Sequence, residues 1–117
     1  MSVLLFLKGL AAAGFGWHAA HHAAMGLRTI NESDTASLND DSGLTTYNSS
    51  DDGTITIPND QTAGWSKQHT LVLYQSGVGS ASFLAGAGVT LRNSGLRTYQ
   101  YGFLIARRVA VNEWVVA

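Results

Sequence analysis

His18, His21 and His22 form an H-x-x-H-H cluster near the start of the chain. On a helix His18 would share a face with the other two, within reach of a common metal ion. The companions such a site needs are absent: the chain has no cysteine, the surrounding segment has no acidic residue, and no HExxH pattern supplies a base. The three imidazoles therefore read as a polar stripe on an apolar segment, with no metal. Asp40-Asp41-Ser42-Gly43 and Asp51-Asp52-Gly53 have the composition of a calcium loop or of a carboxylate pair for acid and base work. The alternating ligands and distal glutamate of a calcium loop are missing. Asp and Gly form turns through side-chain hydrogen bonds and tolerance of positive φ, so turns are expected at both places.

Gly77 and Gly79 give a G-x-G after an apolar run. A phosphate cradle would need a helix to start there, and Ala81 to Gly86 is too short and too glycine-bounded to supply one, so a hairpin turn is expected. There is no G-x-S-x-G elbow, and His69 has no partner serine or carboxylate identifiable from sequence. These readings point away from an enzyme and imply no cofactor.

The elements that must carry these residues come from a chain of 117 residues, enough for one domain and a short appendage. It is 45% hydrophobic and only 13% charged, too apolar for disorder and too poor in charge for a long solvated helix. The absence of cysteine excludes a disulfide framework and thiolate metal sites. A formal net charge of -1 offers no cationic field for nucleic acid or anionic lipid, so neither is expected as a partner.

Residues 1–27 form an apolar N-terminal arm whose only formal charge is Lys8, with a stretch from Ala11 to Met25 that can be helical. A secretory signal fits poorly, because no basic residue precedes the apolar run and Lys8 interrupts it. A membrane span fits worse, since it would hold Lys8 and three histidines. From residue 28 to 117 the texture changes to short β-branched and aromatic runs between Asn, Asp, Ser and Gly clusters. Candidate strands are Arg28 to Asn31, Leu44 to Asn48, Thr54 to Ile57, His69 to Gln75, Ala81 to Ala85, Val89 to Arg92, Thr98 to Arg108 and Glu113 to Val116. Eight strands at this spacing, without crossover helices, predict an all-β fold, a small antiparallel β-sandwich or barrel. In Thr54-Ile55-Thr56-Ile57-Pro58 the isoleucines share one face, and Pro58 ends the strand. Leu71 to Tyr74 and Phe103 to Ile105 lack clean alternation, which predicts cover on both faces, by a second sheet and by a partner or the arm.

Charge is divided along the chain. Between Asn31 and Asp60 all ionic residues are acids, whereas Lys67, Arg92, Arg97, Arg107 and Arg108 follow with no acid among them. Asp51, Asp52, Arg92, Arg97, Arg107 and Arg108 could then meet across neighbouring copies, giving orientation and register. If the two halves interleave in one fold, they form intramolecular pairs instead.

From Arg28 onward the order of features resembles the small β-domain of tailed-bacteriophage virion proteins, found in head decoration, head-fibre and tail-fibre proteins. The residues that carry the resemblance are Thr29 to Leu38 with the turn Asp40 to Gly43, Thr54 to Pro58, and Tyr74-Gln75-Ser76-Gly77-Val78-Gly79. They continue with Phe83, Ala85 to Leu91, Tyr101 with Leu104-Ile105, and Asn112 to Val116. Gly64-Trp65-Ser66-Lys67-Gln68 is more polar than that pattern, and the arm lies outside it.

The resemblance implies a non-enzymatic virion component, a homotrimer without cofactor that contacts other virion proteins such as the major capsid protein. The expected function is a capsid decoration, or cement, protein of the virion whose arm holds a neighbouring subunit through Val3, Leu4, Leu5, Phe6, Leu7, Leu10, Phe15 and Trp17. The alternatives are a tail-fibre, collar or baseplate component and, in another class, a glycan-binding module that stacks sugars on Trp65, Tyr99 and Tyr101.

Overall fold

A computed structural model describes residues 26–117, and the arm and its histidines lie outside the described residues. The strands are β1 (Leu27–Ile30), β2 (Asp34–Thr35), β3 (Leu44–Tyr47), β4 (Gly53–Ile57), β5 (Thr70–Gln75), β6 (Ala81–Ala85), β7 (Thr90–Arg92), β8 (Arg97–Thr98), β9 (Phe103–Ala110) and β10 (Glu113–Val116). A 3-10 turn at Leu38–Asp40 and a single helical turn, α1 (Asp60–Ala63), lie in connections. Leu27, grouped with the arm by composition, is the first residue of β1.

Two sheets enclose the core. The larger has the order β1-β3-β5-β9-β10-β7 and the smaller β2-β4-β6-β8. From β1 to β6 the chain alternates between them, so each strand pairs in parallel with the one two places later. Three successive coils are stacked in this way. Backbone bonds join coil to coil at the turns: Asn48 N–H donates to Ile30 O at 2.8 Å, Ser76 N–H to Tyr47 O at 2.9 Å, and Gly79 N–H to Ser49 O at 3.0 Å. The last strands close the stack, β8 antiparallel on β6, β9 antiparallel on β5, β10 antiparallel on β9, and β7 parallel at the far edge.

The β-rich reading holds, in two mixed sheets, but the antiparallel expectation does not. Five of the eight strand pairings are parallel. Parallel neighbours need a crossover of a dozen or more residues, which in most proteins is a helix. Here the crossover is a strand of the opposite sheet, so the helical signature that marks parallel sheets is missing from the sequence. With the register known, a short repeat becomes visible. Leu27-Arg28-Thr29-Ile30-Asn31-Glu32-Ser33-Asp34 and Leu44-Thr45-Thr46-Tyr47-Asn48-Ser49-Ser50-Asp51 share Leu, Thr, Asn, Ser and Asp at the same offsets, and Leu27 pairs with Leu44.

Local rules set most boundaries. Ile55 and Ile57 point into the core, and β4 stops before Pro58, which cannot donate to a ladder. Asn59 caps α1 by accepting the Thr62 N–H at 2.8 Å, and Gly64 ends it in the left-handed region at φ 83°. Both helical turns were too short to show a period in the sequence. The expected strand Thr98 to Arg108 is split by a turn in which Gly102 N–H donates to Tyr99 O at 2.8 Å. β2 has two residues and no sequence signal of its own.

Inward positions of the larger sheet supply Tyr47, Leu71, Leu73, Leu104, Ala106, Trp114 and Val116, facing Ile55, Ile57, Ala81 and Phe83 of the smaller. Trp65 packs edge-on to Trp114 with centroids 5.1 Å apart. Leu73, on β5, has no exposed surface. Leu73→Ala should lower unfolding stability by about 2–5 kcal/mol, the usual cost of an emptied leucine site, read from the midpoint of a urea titration.

Candidate functional site

The polar residues singled out in the sequence sit mainly in the connections between sheets, where they hold the coils. Asp40, buried at the end of the 3-10 turn, accepts two bonds from Arg28, Nε to Oδ1 at 2.9 Å and Nη2 to Oδ2 at 3.2 Å. Its Oδ2 also accepts the Ser37 N–H at 2.9 Å, while the Ser37 side chain accepts the Asn39 N–H at 3.3 Å. Arg28 reaches a second acid, Asp34, at 2.8 Å. The Thr35 N–H and then Arg28 hold the Asp34 carboxyl below the usual carboxylate range. The Asp40 turn expected from sequence is present, and its carboxylate also neutralises a half-buried arginine.

His69 does have a carboxylate partner, contrary to the sequence reading. Its Nδ1 lies 3.0 Å from Asp41 Oδ2, poorly aligned for a hydrogen bond, and its Nε2 accepts the Ser66 N–H at 3.2 Å. Accepting at Nε2 places the ring proton on Nδ1, toward the carboxylate. The pair was hidden because the two residues are far apart in sequence and meet only when β3 and β5 align. Burial raises the Asp41 carboxyl, but the Thr70 N–H and the His69 ring outweigh it and leave the group lowered. His69 is buried beneath Trp65, ring centroids 5.0 Å apart, with Nε2 hydrogen-bonded to the Ser66 N–H and Nδ1 facing the Asp41 carboxylate. Among the described residues no serine hydroxyl bonds either nitrogen, and the histidine, Asp41 and Ser66 tie the connections before β3 and β5 together.

Asp60 and Arg108 form the most shielded ion pair, with Nη2 to Oδ2 at 2.6 Å and Nε to Oδ1 at 3.1 Å. Asn112 completes the unit by donating its N–H to Asp60 Oδ2 and accepting the Asp60 N–H. The arginine bond is the main reason the Asp60 carboxyl is lowered, and the same bond raises Arg108. The two halves of the charge pattern thus interleave within one body. Arg108 pairs with Asp60, Arg97 approaches Asp52 at 3.8 Å, and Arg92 pairs with Glu113. Asp52 also accepts the Ser80 N–H at 3.0 Å. Asp51 and Arg107 are exposed.

Ligand-directed groupings are sparse. Among the described residues no three His, Asp or Glu side chains gather into a metal-holding cluster. The Gly77-x-Gly79 turn lies against the preceding coil, where a Cβ on Gly77 would meet the Ser49 backbone at 2.2 Å and one on Gly79 the Asp51 backbone at 2.3 Å. Those glycines serve coil stacking, and no helix follows them. Trp65 is 3% exposed and its Nε1 donates to Pro58 O at 3.0 Å, so it cannot stack on a sugar. Tyr99 and Tyr101 are exposed in the turn before β9. Among the described residues no helix is long and apolar enough to cross a membrane.

What remains is a surface. The outward positions of the larger sheet place Leu27 opposite Leu44, Val72 opposite Ile105, and Leu44 beside Val72 through the Thr45–Leu73 pairing. The next row has Tyr74 opposite Phe103, rings 4.9 Å apart. Phe103 is 61% and Ile105 42% exposed, with Val109 further along β9 also bare. Among the described residues these strands are covered on the inner side only. Sequence reasoning named Leu71 to Tyr74 and Phe103 to Ile105 as strands needing a second cover, but the row that joins them exists only once β3, β5 and β9 are neighbours.

Comparison with known proteins finds no matching family model, no matching curated protein and no matching solved structure.

The Asp60–Arg108 clasp sets a pH dependence. A carboxyl lowered in the folded state contributes stability that is present above its unfolded value, near 4, and lost as pH falls through the folded value. Asp60→Asn should cost about 1–3 kcal/mol at pH 7 and flatten the fall in stability below pH ~4, as measured by denaturant titrations across that range.

Proposed function

We propose that this chain is a bacteriophage virion structural protein, a capsid decoration protein that holds neighbouring subunits through its apolar N-terminal arm. The observation that carries this reading is the bare apolar outer face of the larger sheet in a body whose core is already closed. A segment of 26 residues with one formal charge precedes the first strand of that body. Exposed apolar area of this kind marks an interaction surface, and an apolar segment in water demands one. The sequence resemblance to small virion β-domains supports the same reading, and it brings with it self-association as a homotrimer and contact with the major capsid protein.

The mechanism is burial of area. Val3, Leu4, Leu5, Phe6, Leu7, Leu10, Phe15 and Trp17, at about 1.5–3 kcal/mol for each large apolar group, give on the order of 10 kcal/mol before ordering costs. Exposed charges such as Asp51 and Arg107 would add orientation, since exposed pairs contribute only about 0–1 kcal/mol each. A decoration protein is present in proportion to capsid subunits, whereas a fibre, collar or baseplate component follows the few copies of the tail, so counting copies per purified particle separates these positions.

The test is incorporation of the full-length chain carrying Leu5→Asp and Phe6→Asp. Losing two buried apolar groups should reduce its occupancy on particles by about tenfold or more relative to the unmodified chain, quantified by mass spectrometry of purified particles. Occupancy equal to that of the unmodified chain would overturn the arm as the attachment device.

A further inference from the structure

We infer that the outer face of the larger sheet is the docking surface for the leading apolar run, Val3 to Leu7, of a neighbouring copy of this chain. This rests on the assembly reading and names the surface that receives the arm.

The match is first one of length. The row Leu27, Leu44, Val72, Ile105 crosses four adjacent strands, β1, β3, β5 and β9, and so spans about 14 Å at the usual strand spacing. Five residues in extended form cover about 16 Å. Tyr74 and Phe103, tilted against each other in the adjoining row, give the run an aromatic wall. The match is also chemical. Val3 to Leu7 contains no polar side chain, and the row offers none.

The interior of the body has no room for the run. Tyr47, Ile57, Leu73, Trp114 and Val116 are already shut from solvent at 0–1% exposure, so the five further apolar side chains of the run find no vacancy between the sheets. The exposed apolar row and the apolar run Val3 to Leu7 are then complementary surfaces of the same chain.

Reach and the junction allow a neighbour as donor, and the assembly reading selects it over the same chain. Residues 8–26 separate the run from β1, and fully extended they span about 60 Å, more than the 42 Å length of the body. The junction is pinned at the rim. Gly26 has φ +64°, and a Cβ there would collide with the Asn39 carbonyl oxygen, so the chain enters β1 beside the 3-10 turn and at the edge of the sheet. Exchange of one identical element between copies preserves every contact and closes an oligomer at low cost.

The absence of cysteine makes a direct test possible. Full-length Phe6→Cys chains are mixed with full-length Ile105→Cys chains and oxidised, with Ser50→Cys, on an exposed turn away from the face, as the control partner. Covalent heterodimer with Ile105→Cys should exceed that with Ser50→Cys by about tenfold. In sedimentation, full-length Ile105→Asp, altered at an outward position, should shift from oligomer toward monomer. Equal cross-linking to both partners, an unchanged oligomer, or a cross-link found only within single chains carrying Phe6→Cys and Ile105→Cys together would overturn the inference. The particle experiment keeps the two readings apart. Loss of incorporation by the Leu5→Asp, Phe6→Asp chain without cross-linking to Ile105→Cys sinks the docking face and leaves assembly through the arm standing. Cross-linking with normal incorporation supports the face and sinks the arm as particle anchor.

Discussion

Backbone contact between successive coils sets what every other part of this structure can do. At the turns one coil lies directly on the next, with the Ser76 and Gly77 amides reaching the Tyr47 carbonyl and the Gly79 amide reaching Ser49. There is no space for a side chain between them, as the 2.2 Å approach at Gly77 makes plain. Because that stacking fixes the parallel register, it decides which strand faces which. It also carries inward positions such as Leu73 and Ile57 into one core and outward positions such as Val72 and Ile105 into one row. An alanine at Gly77 would push the third coil off the second and disturb core and outer face together.

Within that stack the charges act as fasteners on the connections. A coil connection has few apolar groups to bury, so its backbone amides and carboxylates must find partners in each other or in arginine. Asp40 with Arg28 and Asp60 with Arg108 each tie a connection between sheets to a strand, and Asp41 does so through the Thr70 N–H while also meeting His69. Asp60 is the most informative, because its bonds to Arg108 and Asn112 join α1 to both β9 and the turn before β10, elements far away in the chain. Arg28 has a further consequence. Its place on an edge strand, turned inward to two acids, is one of the devices by which proteins keep a sheet edge from recruiting further strands.

The same arrangement explains why this body presents a surface and little concentrated chemistry. Histidine and aspartate at 3.0 Å would be the beginning of a catalytic set if one ring nitrogen faced a cleft, but the Ser66 amide occupies Nε2 and Trp65 covers the ring. The outer face of the larger sheet, by contrast, carries an apolar row, Leu27, Leu44, Val72 and Ile105, flanked by threonines and Arg107, with apolar area left to cover. Part of it was legible in the sequence, because Leu71 to Tyr74 and Phe103 to Ile105 break the alternation of a half-solvated strand. The contribution of Leu27 and Leu44 was not legible, since their side chains join the row only through parallel pairing across the sheet.

Most strand positions, the end of β4 at Pro58, the inward isoleucines and the turn chemistry of the Asp and Gly clusters were determined by the sequence alone. These depend on φ preferences, a missing N–H donor and a two-residue period, all of which act over a few neighbours. The direction of strand pairing, the Asp41–His69 and Asp60–Arg108 partnerships, the burial of Trp65 and the division of a β-strand into β8 and β9 were decided by the tertiary structure. Their reason is common to all of them: each depends on which distant segment lies alongside, and the coil-on-coil stack settles that through backbone hydrogen bonds whose donors and acceptors are the same for nearly every residue type.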